Sequence, residues 1–512
     1  MADSARWLAR GFGTSDGIRR FNRARDAIDG RDEQGHPAVP GWADPSVISL
    51  AHGEGVRRPH PSVVAAGIRA LIDVDESSLD NYLYLRPFNR LDEAIACEFE
   101  SEGIPTEYAG NVVVESGNSR LFMGFFNAVL EPGDVVLVPR TYYQAVNMWA
   151  DLARIDLRIV PTCAADDFKL TPETLDEWVA TNQPVAARVR ALVVFNPGYT
   201  GSLYTETEMT RLAAWVEEHD VAVLEDSIFT QTEFPGERIV HLASVPGMGD
   251  RVVTVDGGSK AYGLANIRIG WGCGASSIVE RMRHHVTATS ICIPHLAKAM
   301  ALAALKGPTD YLRANVLEAM ERLELVRGLL DDVNREVEDV LGHPLAMPFF
   351  SVAHEPRAGH SVMVAADGIA GLLTPEGAVL RDSVDVTRYF LREERVCLSP
   401  GLSNGFDDCT VRISFGSLGS EGTWRDQRPQ EETEALRAVL TEFRPTATAA
   451  GLDAVLVDCG LDPAPGAESS AAGFGTGRDL LRDAIGNRMM RAAVRLAQHN
   501  REALRAGTKG YA

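Results

Sequence analysis

Between residues 108 and 275, short β-branched runs recur between stretches of helical spacing, and this alternation constrains the fold more than any other feature of the sequence. The runs are NVVVE (111–115), DVVLV (134–138), LRIV (157–160), RALVVF (190–195), VAVLE (221–225), VVTV (252–255) and a last short one at 267–270. Most are apolar at consecutive positions, as strands covered on both faces are. Between them 118–130, 172–180 and 206–218 place apolar residues at three- and four-residue steps, and the last two are preceded by Thr171 and Thr205 with an acid soon after, a helix-start pattern. Strands alternating with helices predict an α/β domain with a largely parallel sheet and helices on both faces.

The flanks divide the rest of the chain. Residues 1–46 mix charge with Gly and Pro and read as an N-terminal arm. The large domain is placed at 47–309, its first part joining a smaller domain. A long amphipathic helix is expected over about 310–338, opening a small α+β domain that runs to 443. Residues 444–512 read as an Ala/Gly/Ser/Pro-rich linker followed by a tail helix, with Leu481, Ile485, Met489, Ala492 and Leu496 on one face. That face predicts a helix docked on the body of the protein's own acidic oligomer, with a docking site for a separate partner as the alternative.

At 512 residues and 45% hydrophobic the chain can bury a sizeable core. Its net charge of −21 would repel nucleic acid and anionic membranes alike. Seven cysteines, none spaced as CxxC, argue for a reducing compartment. With no run of 18 apolar residues and no apolar segment in MADSARWLARGFG, a cytoplasmic location is expected.

Five signals fall in order at the carboxyl ends of the expected strands, where an open α/β sheet places its ligand. Ser116-Gly117-Asn118-Ser119 joins a strand to a helix start, so N–H groups and the helix dipole converge on a spot suited to phosphate; alone, it is also a plain N-cap turn. Asn196-Pro197-Gly198-Tyr199 ends the run RALVVF, a turn from which the Asn side chain can reach a ligand oxygen. Asp226 follows four apolar positions and needs a cationic or N–H partner at that depth; a protonated ring nitrogen would serve. Lys260, in GGSKAYGL, sits among glycines and apolar residues, where desolvation exposes a nucleophilic amine. Arg268 and, in the second domain, Arg412 are flanked by apolar residues and call for a phosphate or carboxylate.

Together these residues resemble the class I/II aminotransferase family of fold-type I pyridoxal-phosphate (PLP) enzymes, over about 45–443. The resemblance extends to ISLAHGEG from Ile48 and LDEAIA from Leu91. It implies the PLP-dependent transferase fold, the cofactor pyridoxal 5'-phosphate, a homodimer and an α-amino acid substrate. By the same resemblance Lys260 would carry the cofactor as a Schiff base and then shuttle the substrate's Cα proton. Asp226 would keep the ring nitrogen protonated and Asn196 would donate to the phenolic oxygen. Tyr143 would stack on the ring, while Ser116, Gly117, Asn118, Ser259 and Arg268 would surround the cofactor, most of them at its phosphate. Arg412 would hold the substrate α-carboxylate. Tyr82, with Tyr84 as a competing choice, matches a tyrosine that crosses the dimer interface to the neighbour's phosphate.

Three departures from the family pattern stand out. Phe229 occupies the position three after the aspartate where the family has Tyr, Gly257 the position three before the lysine where it has Ser or Thr, and Arg86-Pro87-Phe88 replaces the usual Gly before Leu91. Transamination is the leading expectation. Val138-Pro-Arg-Thr-Tyr-Tyr, with Ile159-Val-Pro and Leu170-Thr-Pro-Glu-Thr-Leu, is similar to 1-aminocyclopropane-1-carboxylate synthase, which raises Cβ/Cγ elimination or replacement on S-adenosylmethionine as an alternative. A PLP-binding regulatory protein without turnover is a third reading. Neither GFGTSDG from Gly11 nor GFGTG from Gly473 has the lysine of a phosphate loop, and no His spacing marks a metal site. Of the histidines, only His52 lies in the substrate loop.

Overall fold

The computed structural model describes residues 15–51, 59–72, 89–416 and 481–505. After the two-residue strand β1 (Ile48–Ser49), the alternating segment forms β2 (Val113–Glu115), β3 (Val135–Pro139), β4 (Asp156–Val160), β5 (Val189–Phe195), β6 (Ala222–Asp226), β7 (Val252–Gly257) and β8 (Gly270–Gly274). These last seven make one sheet in the order β2-β8-β7-β6-β5-β3-β4. From β4 to β7 every neighbour is parallel, and only β8 runs antiparallel, to both β7 and β2. The mostly parallel α/β architecture expected from the alternation is the one observed.

Both faces of the sheet are covered, and β5 shows how. Leu192 and Val194 point to one face, into a core with Met209, Leu212 and Val216 of the helix Glu206–Glu218. Ala191, Val193 and Phe195 point to the other, against Phe122, Phe125 and Phe126 of the helix Asn118–Val129. Burial of each such Phe or Leu contributes about 1.5–3 kcal/mol. The crossover helices start where the sequence places their caps. Thr171 and Thr205 accept from the N–H of Thr174 and Glu208, whose side chains bond back to the cap backbone.

Parallel register aligns the strand ends. Phe195 lies opposite Asp226, and Asp226 opposite Val255. Asn196, Asp226 and the segment from Gly257 to Lys260 therefore emerge along one edge, where ligands bind in open α/β sheets.

The second layer begins with the helix Asp310–Leu341, stopped by Gly342 in the left-handed region at φ +77°. Beside it lie β9 (Ser351–Val352), β10 (Ser361–Ala365), β12 (Ser399–Pro400) and β13 (Val411–Ser414), an antiparallel sheet in the order β12-β13-β10-β9. Strand β11 (Val396–Cys397) pairs with β1, tying residues 48–49 to this layer. The segment from Leu481, a π-helical stretch (Arg482–Met489) and then the helix Met490–His499, packs Leu481, Ile485, Met489, Ala492 and Leu496 into the core formed by Val326, Leu330, Val333 and Tyr389. The Tyr389 hydroxyl donates to Ala492 O at 2.8 Å, and Arg491 and Arg495 reach Glu394 at 2.6 and 2.7 Å. Within the expected arm, the helix Asp16–Ile28 buries Ile18, Ala24 and Ala27 and pairs Arg20 with Asp407 and Arg23 with Asp382, each at 2.5 Å. Among the described residues no helix is long and apolar enough to cross a membrane.

Candidate active site

The turn after β2 supplies a cradle. Gly117 adopts φ +83°, and the helix starting at Asn118 has no side-chain cap, which leaves its first N–H groups open to an anion. Arg268 closes over this turn. Its Nη2 donates to Ser119 Oγ at 3.1 Å and would lie 2.5 Å from a Cβ added to Gly117, whose positive φ already favours glycine. Ser116 precedes the cradle with its N–H on Glu115 Oε1 at 2.7 Å.

Asp226 lies buried at the end of β6. Its Oδ1 accepts from Asn118 Nδ2 at 3.0 Å and from the Ile228 N–H at 3.3 Å. Burial pushes its carboxyl up to about 7, against the Asn118 amide, the Ile228 N–H and the Lys260 cation, which pull it down. A buried acid in this state is suited to a cationic partner.

Lys260 is half-buried, its Nζ 5.6 Å from the centre of the Phe229 ring. The Ser259 hydroxyl beside it makes no hydrogen bond among the described residues. Phe229 stands edge-on to Tyr199 at 5.9 Å, and Tyr199 faces Tyr143, an exposed ring, at 5.6 Å. Arg412 is 2% exposed on β13, and its guanidinium carbon lies 4.7 Å from the Tyr199 centroid. Nη2 donates to Ala51 O at 2.5 Å, whereas buried Nε and Nη1 have no partner among the described residues. Two unsatisfied buried donors on one planar cation fit a carboxylate fork.

The structure thus groups Ser116, Gly117, Asn118, Asp226 and Arg268 on one side, and Lys260, Phe229, Tyr199, Tyr143 and Arg412 on the other. Tyr199, in the same turn as Asn196, links Phe229, Tyr143 and Arg412, a role that no motif signals. Tyr82, Tyr84 and His52 lie outside the described residues. Asn196 donates through Nδ2 to Glu225 Oε1 and Val240 O, each at 2.9 Å. Glu225 also takes the Leu242 N–H and the Thr254 hydroxyl, and His241 lies between Glu225 and Glu102. Burial opposes a charge on His241, but the two carboxylates outweigh it and carry its pKa up to about 10. The Asn196 amide thus joins an ionic core that residue spacing alone does not disclose.

These residues fit pyridoxal phosphate: an anion cradle at a helix start, a buried acid for a ring nitrogen, a lysine and a guanidinium with two donors unsatisfied among the described residues. The profile of the family described as aminotransferase class I and II matches residues 45–425. A probable aspartate/prephenate aminotransferase of Rickettsia bellii is 25% identical over 379 residues, 73% of this chain and 88% of that protein. An aspartate aminotransferase of Pinus pinaster is 27% identical over 377 residues, 72% of this chain and 71% of that one. Among solved structures, the aspartate aminotransferase of Rhizobium meliloti shares the fold at a TM-score of 0.66 and 23% identity, over 85% of this chain and 98% of that one. With the fold, the site chemistry and the profile in agreement, the chain belongs to the aminotransferase class I and II family and is a PLP-dependent enzyme of that family.

Proposed function

We propose that the protein moves an amino group from an α-amino acid donor to an α-keto acid acceptor at the site formed by Lys260 and Arg412. The observation that carries this is the buried Arg412 guanidinium, unsatisfied at Nε and Nη1 among the described residues and linked through Tyr199 and Phe229 to Lys260. When bound, PLP supplies the aldehyde carbon and the electron sink that make an amino acid's Cα–H acidic. Arg412 holds the α-carboxylate and so turns the Cα–H toward Lys260. Lys260 Nζ takes the Cα proton and returns it as general acid. Asp226 would keep the ring nitrogen protonated, and Ser116, Gly117, Asn118 and Arg268 would hold the phosphate. Tyr143 would stack on the cofactor, and Ser259, next to Lys260, would contribute to holding it. Related proteins named as aspartate and aspartate/prephenate aminotransferases support this class of donor. We place the active form as a cytoplasmic homodimer, with Tyr82 contributed across the interface.

Mass spectrometry of the cofactor and products after one turnover with a panel of amino acids, with and without S-adenosylmethionine, tests the reading. Pyridoxamine phosphate plus a keto acid is the expected result. Release of methylthioadenosine with PLP retained would replace transamination by elimination.

A further inference from the structure

Asn118 is the first residue of its helix, yet its side chain turns away from the phosphate cradle and inward. Nδ2 reaches Asp226 Oδ1 at 3.0 Å, and the buried Oδ1 of the amide has no hydrogen-bond partner among the described residues. The room for this reach is specific. A Cβ at Gly257 would lie 2.8 Å from Asn118 Oδ1, and one at Gly270 would lie 2.5 Å from it, so both strand positions facing the amide lack side chains. We propose that Asn118 is a positioning residue that fixes the Asp226 carboxylate for the cofactor ring nitrogen, through space left open by Gly257 and Gly270. This rests on the reading of the cluster as a PLP site.

The geometry explains what such a residue would do. Asn118 and the Ile228 N–H both donate to Oδ1, while Oδ2 makes no hydrogen bond among the described residues. Two donors on one oxygen remove the carboxylate's rotational freedom and leave the other oxygen for a cation. A side-chain amide committed to Asp226 is not available to a phosphate, which the helix N–H groups and Arg268 can hold without it. Asn118 thereby joins the phosphate end of the site, through its backbone, to the ring-nitrogen end, through its side chain.

The test uses the full chain with Asn118→Ala and Asn118→Leu, the second retaining the side chain's shape without its donor. Each is loaded with PLP labelled with nitrogen-15 in the ring. The ring-nitrogen resonance and the pH midpoint of the cofactor's visible absorption are read, and binding of inorganic phosphate to the cofactor-free protein is measured alongside. Loss of one hydrogen bond to a charged acceptor is expected to raise the midpoint by about one pH unit. The resonance should move toward the unprotonated nitrogen, with phosphate affinity unchanged. An unmoved resonance and midpoint in both variants would overturn the proposal, as would weakened phosphate binding with the resonance in place. Failure of the underlying PLP reading would show separately, as a wild-type protein that develops no visible chromophore.

Discussion

Lys260 Nζ faces the Phe229 ring, 5.6 Å from its centre, and the same ring packs on Tyr199 and on His360, at 5.9 and 5.5 Å. A position that could carry a hydroxyl beside the lysine carries a hydrocarbon edge instead. Phe229 is 3% exposed, so water does not readily replace the missing donor. The lysine is therefore held against an aromatic face, a contact worth about 0.5–2 kcal/mol to the charged amine.

Phe229→Tyr should place a hydroxyl against the cofactor's phenolic oxygen and stabilise its anionic form. The pH midpoint of the visible absorption is expected to fall by up to about one unit. A titration that superimposes on the wild type would mean that position 229 does not face the ring.

Lys260→Ala removes the only group assigned to carry the Cα proton. The variant should retain PLP through Arg268, the helix start at Asn118 and Asp226, but lose the Schiff-base absorption. Turnover should fall by more than about 10²–10⁴-fold, the usual contribution of a positioned general acid–base. Added methylamine, which restores an amine without its tether, should recover part of the rate. Undiminished turnover would remove the lysine from the chemistry.

Arg412→Lys keeps the charge and discards the planar fork. With Nη2 spent on Ala51 O, the two donors left for substrate are those that lysine cannot reproduce in place. Loss of about 1.5–3 kcal/mol predicts a drop of roughly 10- to 100-fold in kcat/KM for every α-amino acid, whatever its side chain. A defect confined to one substrate would assign Arg412 to the side-chain pocket instead.

Much of this site was legible because its parts sit at strand ends. The run VAVLE fixes where Asp226 emerges, and RALVVF where Asn196 does; parallel register then brings them to one edge. The last strand, expected at 267–270, is instead the antiparallel β8 at Gly270–Gly274, displaced because the alternate glycines of Gly-Trp-Gly-Cys-Gly give no β-branched signal. Directions of side chains were not legible either. Asn196 turns to Glu225 because a buried carboxylate beside His241 recruits any nearby donor, and that network joins residues 102, 196, 225 and 241, which spacing does not relate. Asn118 reaches Asp226 only because two glycines on other strands vacate the path.

The tail helix offers a stability test away from the site. Leu496 is completely buried between the helix Asp310–Leu341 and the layer carrying Tyr389. Leu496→Ala should cost about 2–5 kcal/mol, read as a lower denaturant midpoint, with the absorption of bound PLP unchanged. An unaltered midpoint would mean that residues 481–505 do not dock on the small layer in solution.

Buried acids predict how the cofactor-free protein responds to pH. Asp226, Glu98 and Glu233 are each pushed up to about 7 by burial, with Glu102 adding to the effect at Glu98 and Glu233. Because their folded values lie above their unfolded ones, near 4, the folded state binds more protons between these limits. The stabilisation they provide is complete below about pH 4 and is lost as pH rises through about 7. His241, raised to about 10 from an ordinary value near 6.5, adds a second loss between those values. The melting temperature should therefore fall from pH 5 to pH 8 and continue falling toward pH 10. Asp226→Asn should make the first fall shallower, and so should PLP, whose cationic ring nitrogen favours the ionised carboxylate. A melting temperature that rises between pH 5 and 8 would contradict the protonated state assigned to these acids, and one that responds to PLP equally in wild type and Asp226→Asn would detach Asp226 from the ring.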